Sequence, residues 1–131
     1  MIIDPSAVLA IMLDEPQRPE LIAAVAQAGG VRMSAASYVE LAAVVERRHN
    51  PVLSRRLDEL LDSMGVELVP FDADQAAIAR AAYRDFGRGS GHPAGLNLGD
   101  CFSYAAAKAC REPLLWVGDD FGHTDVAPAR A

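Results

Sequence analysis

Short apolar runs and longer apolar stripes alternate along the chain, which predicts strands separated by helices. Met1-Ile2-Ile3 is a strand-like run ended by Asp4, and Pro5 then opens a helix carrying Ala7, Val8, Leu9, Ile11 and Met12. A second helix fits Pro19 to Ala28 and closes at Gly29-Gly30, after which Val31-Arg32-Met33 is short enough to be a second strand. From Ser34 to Arg48, apolar residues at 38, 39, 41, 42, 44 and 45 form a strong helical stripe. Asn50-Pro51 restarts the chain, and Leu53, Leu57, Leu60, Leu61 and Met64 mark a further helix that stops at Gly65.

Val66-Glu67-Leu68-Val69 is the next strand, and Asp72 with Gln75 is a capping pair opening a helix through Ala76, Ile78, Ala79, Ala82, Tyr83 and Phe86. The segment from Gly87 to Gly95, with Pro93, is a loop. Asn97 to Ala109 is helical again. Pro113 precedes Leu114-Leu115-Trp116-Val117, a continuous apolar run suited to a buried parallel strand, and Val126 is placed to form a final edge strand. Strands separated by helices imply crossover connections, and so a single domain over residues 1–131 with a three-layer α/β/α architecture. Its central sheet is expected to be mostly parallel and covered on both faces.

Composition narrows the functional classes. The 131 residues are 51% hydrophobic, enough for one real core. No run approaches the roughly 18 apolar residues of a membrane helix and no basic stretch precedes an apolar one at the N-terminus, so a cytoplasmic location is expected. Cys101 and Cys110 sit nine positions apart on one predicted helix, too distant to bridge, and read as packed thiols. A net charge of -6 argues against coating nucleic acid by bulk electrostatics, so any contact with it must be local. Arg47, Arg48, His49, Arg55, Arg56, Arg84 and Arg88 could form a phosphate-binding rim. Arg47 and Arg48 are better explained by a helix C-terminus, whereas Arg84 and Arg88 flank the glycine loop and lean to function. His49, His92 and His123 lack partners at metal spacing, and Trp116, with its apolar neighbours, reads as core.

Ligands of open parallel sheets bind beyond the carboxyl ends of the strands, and acidic residues cluster at those junctions. Asp4 ends the first strand, Glu40 lies early in the helix after the second, Asp100 opens the helix after the loop, and Asp119-Asp120 follows the last strand. Each has a capping or turn reading: Asp4 before Pro5 as an N-cap, Ser37-x-x-Glu40 as a capping box competing with a start at Ser34 or Ala35, Asn97 with Asp100 as another, and Asp119-Asp120 as solvated turn residues. Taken together they point elsewhere, because converging carboxylates repel one another unless a cation sits among them. All-oxygen ligation points to Mg²⁺ or Mn²⁺, and phosphodiester hydrolysis by activated water is the chemistry such a site performs.

The segments MIIDPSAVLAIMLDEP, MSAASYVELAAVVERR, GHPAGLNLGDCFSYAAAKA and PLLWVGDDF, in that order over nearly the whole chain, resemble the VapC toxins of the PIN-domain ribonucleases. The resemblance implies a PIN fold and an Mg²⁺- or Mn²⁺-dependent, sequence-selective endoribonuclease acting on tRNA or rRNA. It places Asp4 and Asp100 on metal-ligating positions, Glu40 on the second acidic position and Asp120, immediately before Phe121, on the fourth, with Asp119 able to assist through a water. It also implies a VapB-type antitoxin whose tail can occlude the site, and a toxin homodimer. Pro5 departs from the family's usual Thr or Ser, removing a hydroxyl and an N–H that could orient Asp4. Trp116-Val117 replaces a common aromatic-lysine pair. Both changes are expected to spare the metal site while weakening RNA binding or shifting its selectivity. Two other classes remain: a phosphoryl-transfer or phospho-acceptor α/β domain, which would add a lysine such as Lys108, and a non-catalytic PIN-like interaction module.

Overall fold

The computed structural model describes residues 1–130. Four strands, β1 (Ile2–Ile3), β2 (Val31–Ser34), β3 (Val66–Val69) and β4 (Leu114–Leu115), form one sheet in the order β3-β2-β1-β4, with every pairing parallel. Six helices connect and cover it: α1 (Pro5–Met12), α2 (Arg18–Gln27), α3 (Ala35–Glu46), α4 (Pro51–Ser63), α5 (Ala73–Phe86) and α6 (Leu98–Cys110). A 3₁₀ turn, Asp120–His123, follows β4.

Side chains alternate across a strand, and here that alternation separates two cores. Ile3 and Leu115 pack with Val8, Ile11, Leu21 and Leu41 against α1 to α4. Ile2 and Leu114 face the other way, packing with Leu96, Ala105, Ala106 and Phe121 against α5 and α6. The expected three layers follow from this division. The all-apolar sequence of β1 is explained by its place in the middle of the sheet, where Ile2 and Ile3 are both 0% exposed.

The ends of the predicted elements shift in three places. The last strand stops at Leu115, because the Trp116 indole turns to donate to the Gly118 carbonyl at 2.9 Å and the Val117 amide donates to Ser6 Oγ at 3.0 Å. Trp116 is accordingly half-buried against Phe121. Val126 forms no strand; edge pairing comes two residues later, as a single parallel bridge between Leu114 and Pro128. The cap of α3 is Ser34, whose Oγ accepts from the Ala36 amide at 3.2 Å, and not Ser37, which is buried in the third helical position. The two cysteines are free, Cys101 buried and Cys110 half-buried, and no helix among the described residues is long and apolar enough to cross a membrane.

Candidate active site

Each predicted acid lies at the edge where the strands end. Asp4 leaves β1 and caps α1: Oδ2 accepts the Ser6 amide at 2.9 Å, and Pro5 occupies the first helical position, where its missing N–H costs nothing. Oδ1 accepts the hydroxyl of Ser103 on α6 at 2.5 Å. The residue is only 4% exposed. Burial raises its pKa, hydrogen bonds from Ser103 and Ser6 oppose that rise, and the charge of Asp120 adds to it.

Glu40 sits in the middle of α3, so it caps nothing. Burial and then repulsion from Asp4 raise its pKa. A Cβ added at Gly99 would overlap the Glu40 carboxylate, which therefore rests directly over the first turn of α6. Asp100 does complete the predicted capping box: its Oδ2 accepts the Asn97 amide at 3.0 Å while Asn97 Oδ1 accepts the Asp100 amide at 2.8 Å. Even so, burial first, and the charges of Asp4, Asp120 and Glu40 after it, push Asp100 up to about 7. Asp120 is exposed at the start of the 3₁₀ turn, held there by the buried Phe121, and its charge reaches both Asp4 and Asp100. Asp119, also exposed, is not among the groups acting on either.

Among the described residues, no ion pair involves Asp4, Glu40, Asp100 or Asp120. Nor do three or more His, Cys, Asp or Glu side chains close into a ready-made metal cage among them. The acids thus feel one another's charge, with no Lys or Arg among the described residues paired to offset it. A small hard cation fits this donor set, since Mg²⁺ takes one or two carboxylates and fills its remaining positions with water and substrate oxygens. Of the basic residues, Arg84 pairs with its neighbour Asp85 on the surface at 2.9 Å, and Arg56 donates to the Met12 carbonyl at 3.1 Å. Arg88 is exposed on the loop. Lys108 binds Asp125 at 2.9 Å near the far end of α6, away from the acids.

A model of the PIN domain matches residues 1–127. Ribonuclease VapC42 of Mycobacterium tuberculosis is 54% identical over 129 residues, which cover 98% of this chain and 98% of that protein. The chain belongs to the VapC ribonucleases of the PIN-domain family. Ribonuclease VapC28 of the same species is likewise 54% identical, covering 98% of this VapC chain and 97% of its own. Solved structures share the VapC fold at lower identity. VapC20 of M. tuberculosis, described as a sarcin-ricin loop cleaving toxin, superposes with a TM-score of 0.75 at 16% identity, over 99% of this chain and 98% of its own. A toxin–antitoxin complex from Klebsiella pneumoniae gives 0.68 at 16% identity, covering 92% and 88%.

Four residues of this VapC site escape sequence reasoning. Ser6 and Ser103 supply the two donors to Asp4, so the hydroxyl and N–H that Pro5 lacks are replaced from one position later and from a distant helix. Ser37 touches Ser103, and Gly99 makes room for Glu40. Only Gly99 left a signal: a glycine inside a helix costs about 1 kcal/mol relative to alanine, so its presence asks for a close approach.

Proposed function

We propose that the chain is a divalent-metal-dependent endoribonuclease and the toxin half of a toxin–antitoxin pair, cutting structured RNA such as tRNA or rRNA. The reading is carried by one observation: mutually repelling carboxylates, Asp4 buried and Glu40 and Asp100 half-buried, with no Lys or Arg among the described residues paired to them, at the carboxyl edge of a VapC fold. Asp4 and Asp100 would hold Mg²⁺ or Mn²⁺ directly, with Glu40 and Asp120 completing the acidic wall. When bound, the ion supplies Lewis-acid chemistry, lowering the pKa of water and neutralising charge that builds on the phosphate. The protein fixes Asp4 through Ser6 and Ser103 and Asp100 through the Asn97 box, so neither carboxylate must reorganise during the reaction. Glu40 and Asp120 would orient waters around the scissile phosphate. Toxin–antitoxin complexes among the solved relatives of the fold support an antitoxin partner of the VapB type, and a toxin homodimer is part of the same reading.

Incubation of purified protein with structured RNAs and Mg²⁺ or Mn²⁺ tests the proposal. Cleavage should vanish with chelator and in Asp4→Asn. The thermal midpoint should rise with Mn²⁺, because a ligand of the native state at a hundred times its dissociation constant adds about 2.7 kcal/mol. Cleavage surviving both treatments, with no rise of the midpoint, refutes it.

A further inference from the structure

Ser37 and Ser103 are both 0% exposed and lie 66 positions apart, yet their hydroxyl oxygens are 3.3 Å from each other. Neither has a role in capping or in any backbone turn. Ser103 Oγ also lies 2.5 Å from Asp4 Oδ1. A serine hydroxyl has one proton to give and two lone pairs to fill. With the Ser103 proton directed at the Asp4 carboxylate, Ser37 must be the donor in the upper pair, and the bonds run in one direction from Ser37 to Ser103 to Asp4.

Their placement on the helices is as telling as the bonds. Ser37 is three residues before Glu40 on α3, and Ser103 three residues after Asp100 on α6, so each serine shares a helix face with an acid of the site. The serine contact joins α3 to α6 where Glu40 rests on Gly99. A lysine or arginine in place of Ser103 would also bond Asp4, but would cancel the charge a cation needs. A neutral hydroxyl orients and leaves the charge in place.

We propose that Ser103 is a positioning residue for the metal site, holding Asp4 Oδ1 in its ligating orientation, and that Ser37 acts through Ser103. The inference rests on the metal reading given above. Donors behind a metal-ligating side chain commonly contribute about ten- to hundredfold in affinity.

The test is calorimetric titration of Mn²⁺ into wild type, Ser103→Ala, Ser37→Ala and the double variant, with thermal midpoints in chelator recorded alongside. Ser103→Ala should weaken Mn²⁺ binding by about tenfold or more. Ser37→Ala should weaken it less, and the double variant should match Ser103→Ala alone, because Ser37 has no path to Asp4 once Ser103 is gone. Wild-type affinity in folded Ser103→Ala overturns the proposal, as do additive losses in the double variant. If Ser103→Ala does not fold, Ser37→Ala, which keeps the bond to Asp4, decides by itself: weakened binding supports the chain of hydroxyls and unchanged binding refutes it. Failure of the wild-type protein to bind Mn²⁺ would instead refute the metal reading, and this inference with it.

Discussion

Glu112, just ahead of the last strand, and Asp100, beyond the ends of the others, are both partly buried carboxylates, and the protein treats them in opposite ways. Glu112 accepts from Arg32 at 2.6 Å, and that bond holds its pKa below the usual carboxylate range. Asp125, beside the same edge, is held low by Lys108 at 2.9 Å and by the Tyr104 hydroxyl at 2.7 Å. Asp100, Asp4 and Glu40 at the far edge all lie above their ordinary values, with burial the leading cause in each and no Lys or Arg among the described residues paired to them. A fold selected for stability alone would place counter-charges at both edges. Here they are supplied where the chain must hold together and withheld where something else has to bind.

Breaking the far edge should have the largest effect on activity. Asp100→Asn keeps an acceptor for the Asn97 amide but removes the charge, so the fold should survive while RNA cleavage falls by about a thousandfold, several kcal/mol of lost electrostatic stabilisation. Single-turnover cleavage with a far-ultraviolet spectrum as control measures this. Activity within tenfold of wild type would remove Asp100 from the site.

Gly99→Ala tests the approach of α3 to α6 without touching a charge. The new methyl must displace the flexible end of Glu40 and not any backbone, so the protein should fold with cleavage reduced by about ten- to hundredfold. Cleavage at the wild-type rate in the folded variant would show the contact to be idle.

The near edge should behave as a purely structural region. Glu112→Gln is expected to cost about 1 kcal/mol in denaturant unfolding at neutral pH, the upper range for such pairs, and to leave the cleavage rate unchanged.

Opposite pH dependences sharpen the contrast. A carboxylate raised in the folded state, as Asp100 is from 3.8 to about 7, binds its proton more tightly when folded. Its stability contribution is complete below pH 3.8 and is lost as the pH rises towards 7. Metal-free wild type should therefore lose stability relative to Asp100→Asn across that interval, by on the order of 1 kcal/mol once partial solvation is allowed for. Glu112, lowered in the folded state, has its contribution in full above its ordinary 4.5 and loses it on acidification through its depressed value. Unfolding curves of wild type and the two variants, recorded in chelator from acid to neutral pH, should diverge in opposite directions.

Much of this arrangement is legible in the chain itself, because helix stripes, glycine stops and strand-end acids are local patterns. The layered parallel sheet and the meeting of Asp4, Glu40, Asp100 and Asp120 at one edge follow from them. What local pattern cannot decide is which of two equivalent groups acts. Ser34 and Ser37 both suit a helix start, and only packing shows that one caps while the other turns inwards to Ser103. Trp116 and Val117 look like strand until the indole finds the Gly118 carbonyl and the amide finds Ser6, contacts with no sequence signature. The serine chain itself depends on helices brought together across 66 positions.

The first strand and the last lie side by side, Ile2 opposite Leu114 and Ile3 opposite Leu115. Closing so long a loop is entropically slow, and until it happens the central strand has one bare flank. A nascent chain that stops short of β4 therefore already carries Asp4, Glu40 and Asp100 but not Asp120, and the four acids can meet only once the turn after β4 has left the ribosome.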